Sequence, residues 1–222
     1  MRFSYWPSPA DDFADVQSRC LLAERAGWDG IWFSDHLMPS SGDPQAPVNE
    51  SFTTLAALAA TVPRLRIGHL VAGNTYRHPA LVAKVAAGID RISAGRFVLG
   101  LGAAWQANEH ERYGLPFYDT AVRMDRLDEA CRLIRCLLDN ELSKFEGRYY
   151  QLRDAPLSPK PLQGRLPLLI GGGGNGACCA SLPATRTSGT SLPRPRPCAT
   201  SSKSSRTTAT PSDATRPRSS AA

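Results

Sequence analysis

Long apolar runs are missing from this 222-residue chain, and their absence excludes a membrane-spanning helix. Met1–Pro7 lacks the apolar stretch of a secretory leader, so a cytoplasmic protein is expected. The four histidines, His36, His69, His78 and His110, form no HExxH or other compact ligand set. No pair of the six cysteines has zinc-ligand spacing. No metal is therefore expected, and Cys20, Cys131 and Cys136 read as reduced thiols. A GxSxG elbow is absent, which argues against serine hydrolysis. The one glycine run, Gly171–Gly174, matches neither the dinucleotide fingerprint nor a P-loop.

Excess charge is also missing from most of the chain. Residues 175–222 carry six Arg, one Lys and one Asp, a net +6, and the whole chain is +6. Residues 1–174 are thus neutral, and the basic pI belongs to the tail. The neutral part gives no reason to expect nucleic-acid or membrane partners. The tail is Ser-, Thr-, Pro- and Arg-rich with two Leu and no periodicity. Such a segment cannot offset its ordering entropy by burial, so disorder is expected there. Read as a binding protein, the chain would use this tail as a basic arm for acidic partners. The scattered arginines, without aromatics, speak against that.

What is present is alternation. Phe3–Trp6 reads as a strand, and Phe13, Val16, Cys20 and Ala23 as a helix face ended by Gly27. Gly30–Asp35 is a second strand, Phe52–Val62 a helix, and Leu65–Val71 a third strand. Leu81, Val85, Ile89 and Ile92 mark the next helix, and Arg96–Leu101 the fourth strand. Met124, Leu127, Cys131, Ile134 and Leu138 mark a further helix, Phe145–Leu152 a hairpin, and Leu166–Ile170 a fifth strand. The strands are continuous apolar runs, as in a parallel sheet covered by helices.

In such a sheet, chemistry sits at the C-terminal ends of strands. The second strand ends in Asp35-His36, a candidate acid/base pair in which the carboxylate fixes the imidazole tautomer. The bland alternative is that Asp35 caps the next segment and His36 packs. Gly100-Leu101-Gly102 would let a flat ring lie on backbone, and Trp105 would wall a pocket. Gly171, Gly172, Gly173 and Gly174 would present bare N–H groups to an anion, or merely form a tight turn.

At these positions the chain resembles the luciferase-like monooxygenase superfamily, and looks closest to its deazaflavin (coenzyme F420)-dependent oxidoreductases. The stretches that carry the resemblance are WFSDHLMP (32–39), GNTYRHPALVAKVAAGIDRISAGR (73–96), LGLGAAW (99–105), EHERYG (109–114), FEGRYYQL (145–152) and LLIGGGG (168–174). The resemblance implies an α/β fold, a (β/α)8 TIM barrel, of which about five βα units are present in residues 1–174. It implies hydride transfer between F420 and a small organic substrate, with a reduced-FMN monooxygenase as the alternative. By analogy Asp35 and His36 face the ring. Leu70, Val71, Ala72 and Asn74 form a bulge behind it, with Leu70–Val71 the expected non-proline cis peptide. Gly102, Ala103 and Trp105 line one side, and Gly171–Gly174 hold the cofactor phosphate. Some relatives have an acid where this chain has Ala103, which leaves Glu109 as a substitute. Relatives are often homodimers.

The family pattern stops after Gly174. Back-translation of Leu182–Thr190, read from its third base, permits ARYADEWN. The same frame over Thr207–Arg218 permits HCDAIGRDPAEI. Both are family-like and in order, so a frameshift near Gly173–Asn175 is expected. Residues 175–222 then form an out-of-frame tail, and the chain as written would be an inactive fragment.

Overall fold

A computed structural model of the chain describes residues 1–171 and the pair Ala199–Thr200. The segment expected to be frameshifted and disordered, 175–222, lies outside the described residues apart from that pair, as do Gly172, Gly173 and Gly174.

The expected parallel sheet is present. β1 (Ser4–Tyr5), β2 (Gly30–Phe33), β3 (Arg66–His69), β4 (Ala72–Gly73) and β5 (Phe97–Gly102) are followed by β6 (Leu142–Glu146), β7 (Gln151–Pro156) and β8 (Leu168–Ile170). The parallel pairing runs β1–β2–β3–β5, with β4 and β8 also on β5. Ser4 pairs with Gly30, Gly30 with Arg66, Ile67 with Phe97, and Leu99 with Leu168. β3 and β4 are one barrel strand broken at Leu70–Val71, whose peptide is cis, as the resemblance implied. Five barrel strands therefore stand side by side, each expected from its apolar run. Within the described sheet β1 and β8 each have a neighbour on one side only.

The crossovers are α1 (Phe13–Arg25), α2 (Ser51–Thr61), α3 (Pro79–Ile92), α4 (Ala107–Arg112) and α5 (Thr120–Asp139). Their ends follow local chemistry. The Glu50 carboxylate accepts from the N–H groups of Phe52 and Thr53 to cap α2. Pro79 opens α3 behind the His78 cap, and Gly95, at φ +82°, closes it by donating to Asp90 O. The short α4 has no periodicity long enough to have been read from sequence.

β6 and β7 form the expected hairpin, to which β9 (Ala199–Thr200) adds an antiparallel edge. The carboxylate of Glu129 on α5 holds the hairpin turn by accepting from the N–H groups of Arg148, Tyr149 and Tyr150. Asp90, fully buried on α3, does the same for Leu162 and Gln163, where the chain returns to the sheet. Cys20 and Cys131 are free and buried, and burial pushes both thiols up to about 12. Cys136 is disulfide-bonded, not reduced as read from the sequence. Among the described residues no helix is long and apolar enough to cross a membrane.

Two glycines make opposite predictions. A Cβ on Gly100 would lie 2.0 Å from the carbonyl oxygen of His69 on the next strand, where backbone cannot yield. Gly100→Ala should therefore lower stability by about 1–3 kcal/mol or more. Gly88, within α3, has open space around its missing Cβ. Gly88→Ala should raise stability by ~0.8–1 kcal/mol. Urea midpoints of the two variants check both signs.

Candidate functional site

The segment leaving β2 carries two consecutive polar side chains at the sheet's C-terminal end, and they find different partners. Asp35 turns inward and is buried. Its carboxylate accepts from Ser51 Oγ at 2.7 Å, Gly73 N at 2.9 Å, and Arg77 Nη1 and Nη2 at 2.8 and 3.1 Å. Burial alone would raise its pKa, but the Arg77 guanidinium outweighs that and holds Asp35 below the usual carboxylate range. Arg77 also reaches Glu50 at 2.6 Å. Asp35 therefore ties β2, β4 and α2 together as a permanent anion.

His36 makes no bond to Asp35. Its Nδ1 lies 3.1 Å from Glu109 Oε1, and Glu109 Oε2 accepts from Leu37 N at 2.8 Å. The Tyr76 hydroxyl donates to the same Oε1. Glu109 is fully buried; burial would raise its pKa, but the bonds from His36, Tyr76 and Leu37 hold it low. A carboxylate can only accept, so His36 Nδ1 carries a proton. In the neutral ring Nε2 is then a free base nitrogen, and in the charged ring it is an acid. The carboxylate that sets the tautomer is Glu109 on α4, seventy-three residues away, not the neighbour Asp35. Trp105 packs edge-on against the imidazole, with centroids 5.6 Å apart.

A cavity of about 680 Å³ opens beside His36. Of the residues singled out in the sequence, Asp35, His36, Leu70, Val71, Ala72, Gly102, Ala103, Trp105 and Gly171 line it. Two expected residues do not line it. Asn74 is buried and braces the bulge, donating from its N–H to Gly102 O and from Nδ2 to Tyr150 Oη. Glu109 sits behind His36. The floor is shaped by missing side chains: a Cβ on Gly102 or Gly171 would come within 2.6–2.7 Å of the Val71 methyls.

Sequence reading missed Tyr76 and Arg123, which also line the cavity. Arg123 is buried on α5, donating to Ala104 O at 2.8 Å and Thr120 Oγ1 at 3.0 Å. It has no carboxylate partner among the described ion pairs. A legible signal existed: Arg123 stands four residues before Leu127 on the apolar face of its helix, where a charge needs a reason.

None of the other three histidines lines this cavity, and His78 caps α3. His110 is a satisfied core residue, bonded to Gln106 O and Thr75 Oγ1 at 2.7 and 2.6 Å. His69 is fully buried with neither ring nitrogen paired among the described residues, and burial lowers its pKa to about 4. The described residues hold no His, Cys, Asp and Glu cluster that would take a metal.

Residues 1–179 match the sequence profile of the luciferase-like monooxygenase family. An F420-dependent glucose-6-phosphate dehydrogenase of Kineococcus radiotolerans is 36% identical over 172 residues, covering 77% of this chain and 48% of that protein. The pyrimidine monooxygenase RutA of Methylobacterium radiotolerans is 42% identical over 114 residues, 50% of this chain and 30% of that protein. Among solved structures, an F420-dependent secondary alcohol dehydrogenase in complex with an F420-acetone adduct superposes with a TM-score of 0.71 at 26% identity. That match covers 77% of this chain and 52% of the other. The chain thus spans about half the length of the glucose-6-phosphate and secondary alcohol dehydrogenases it matches.

Proposed function

The chain belongs to the luciferase-like monooxygenase family, and from that premise we propose that its enzyme moves a hydride between coenzyme F420 and a small organic substrate. The observation that carries the reading is His36, held through Nδ1 by Glu109, in the wall of the cavity. The names of relatives similar in sequence and structure favour the deazaflavin.

The residues fit such a cofactor. Gly102 and Gly171 leave room for the Val71 methyls, so a flat ring would lie against Val71 and the bulge that this packing holds in place. Arg123, buried without a carboxylate, offers its charge to an anionic part of the ligand. The Gly171 N–H is already bonded to Leu101 O at 2.8 Å, so it does not face a phosphate. The anion role expected of Gly172, Gly173 and Gly174 lies outside the described residues. When bound, the deazaflavin supplies the carbon that gives or takes the hydride.

The protein's part is proton handling and placement. Nε2 of His36 takes the proton from a substrate hydroxyl, or returns it to a carbonyl oxygen, as hydride leaves or arrives at carbon. Glu109 acts through His36, fixing the ring and stabilising its charged form. Tyr76 braces Glu109; burial, and then that bond, push its own pKa far up, so it stays a donor. Asp35 shapes the wall through Gly73 and Arg77 rather than exchanging protons. Trp105 walls the imidazole on its edge.

In a protein whose frame is restored beyond codon 174, His36→Ala should lower kcat by roughly 10²–10⁴-fold with F420 affinity retained. Glu109→Gln, which keeps the shape but loses the anion, should cost less and shift the pH profile. Unchanged turnover in His36→Ala would remove the histidine from the reaction. Tight FMN binding with no F420 binding would move the protein to the monooxygenases.

A further inference from the structure

The helix α5 starts against the cavity: Thr120, Arg123 and Met124, all near its N-terminus, line that space. The start of a helix leaves N–H groups without intrahelical partners and carries the positive end of the helix dipole. Asp119, just before it, makes no side-chain cap bond to them, is exposed and does not line the cavity. A helix start alone would say little, but a buried cation stands on this one. Arg123 is only 9% exposed. It donates to Ala104 O at 2.8 Å and to Thr120 Oγ1 at 3.0 Å, both uncharged oxygens. Its Nε is buried with no partner among the described residues. The guanidinium carbon lies 4.1 Å from the centre of the Phe117 ring, which holds the plane but supplies no countercharge. The carboxylate that shares the cavity, Asp35, is spent on Arg77. Thr120 Oγ1 accepts from Arg123 and so keeps its own O–H to donate.

We propose that Arg123, Thr120 and the first turn of α5 form an oxyanion subsite in this cavity, and that it takes a phosphate group. The assignment rests on the reading of the cavity as the ligand's place, and it names which residues meet the ligand's charge. A buried guanidinium is costly without a countercharge, and a bound oxyanion supplies one. The planar fork of arginine matches phosphate oxygens two at a time, which a lysine does not do. The Thr120 hydroxyl and the helix N–H groups add donors on the same side, where the helix dipole also favours negative charge. The subsite does not need Gly171, whose N–H is spent on Leu101 O at 2.8 Å. Arg123 has a second duty that fits the first. Through Ala104 O it fixes a residue of the cavity wall whose backbone has φ +61°, a conformation an alanine rarely holds unaided. An anion that orders Arg123 therefore also orders the wall leading to Trp105. The phosphate belongs either to the cofactor or to the second reactant. Their chemistry is the same, and titration separates them.

The test is titration of inorganic phosphate into the full 222-residue chain without cofactor, by calorimetry and phosphorus NMR. Binding should saturate, and Arg123→Gln should weaken it at least tenfold. Arg123→Lys, which keeps the charge but loses the fork, should fall between. Thr120→Asp, at an exposed position, should also weaken phosphate at least tenfold by placing a carboxylate in the subsite. Circular dichroism of each variant separates loss of the subsite from loss of fold, and Thr120→Asp carries the test if Arg123→Gln does not fold. F420 and a deazaflavin lacking the phosphate are then titrated in turn. If Arg123→Gln weakens F420 and spares the phosphate-free deazaflavin, the subsite holds the cofactor's phosphate. If it spares both and weakens inorganic phosphate with F420 already bound, the subsite holds the second reactant's. No phosphate binding to the chain, or undiminished phosphate affinity in the folded variants, would overturn the proposal. Equal weakening of both deazaflavins with phosphate affinity intact would also overturn it, since that is the mark of a purely structural arginine. Failure of F420 to bind overturns the cofactor reading, and the phosphate titration still decides the subsite.

Discussion

Asp35→Ala should cost about 3–5 kcal/mol of stability, the range for removing one partner of a buried ion pair. The loss is larger than that of a single contact because four hydrogen bonds converge on this carboxylate. Without it the Arg77 guanidinium keeps only Glu50, and the N–H of Gly73 is left unpaired in the interior. Asp35→Asn should do little better, since its amide nitrogen would face donors. Replacing both members, Asp35→Ala with Arg77→Met, should recover part of the loss, because no charge is then stranded. Urea titrations of the single and double variants measure this, and a loss below about 1 kcal/mol for Asp35→Ala would refute the account. The sign of the pH dependence follows. The folded pKa values of Asp35, Glu50 and Glu109 lie below their ordinary values. The unfolded groups titrate near ~4. The stabilisation is therefore complete above that pH and is lost as pH falls through the depressed folded values.

The second large effect concerns the reading frame. Nucleotide sequencing across codons 170–180 should reveal a one-base slip relative to a longer frame. We expect the chain as written to show no turnover and to bind F420 at least tenfold more weakly than the frame-restored protein, a difference of ~1.4 kcal/mol or more. The physical reason is the sheet. A (β/α)8 barrel has no free edge, and its interior is filled from strands around the whole ring. In the described structure β1 and β8 each lack a second neighbour, and Phe3 and Trp6 stand more than half exposed beside β1. On this proposal, residues 1–174 are the front part of one barrel domain and residues 175–222 are its mistranslated continuation. An uninterrupted gene encoding the present tail, or equal F420 affinity in both proteins, would defeat it.

The fold was legible because its signals are local. Each parallel strand is a short run buried on both faces, so Phe97–Gly102 announces itself by composition alone. Helices α1, α2, α3 and α5 carry the 3.6-residue period of a one-sided face. The cavity residues at strand ends were legible for a related reason: their places follow once the strands are known. The partnerships were not. Asp35 and His36 are neighbours in sequence, and a dipeptide invites pairing them, but each is bonded to a different distant segment. Only the approach of α4 to the segment after β2 brings Glu109 to the imidazole. The same holds for Arg77, whose guanidinium reaches Asp35 across forty-two positions. The sequence by itself thus determined the order of strands and helices and which strand ends carry polar groups, since both depend on short-range pattern. Tertiary structure alone decided which carboxylate orients the histidine and which is locked in an ion pair. Those depend on distances between segments far apart in the chain, which no local pattern encodes.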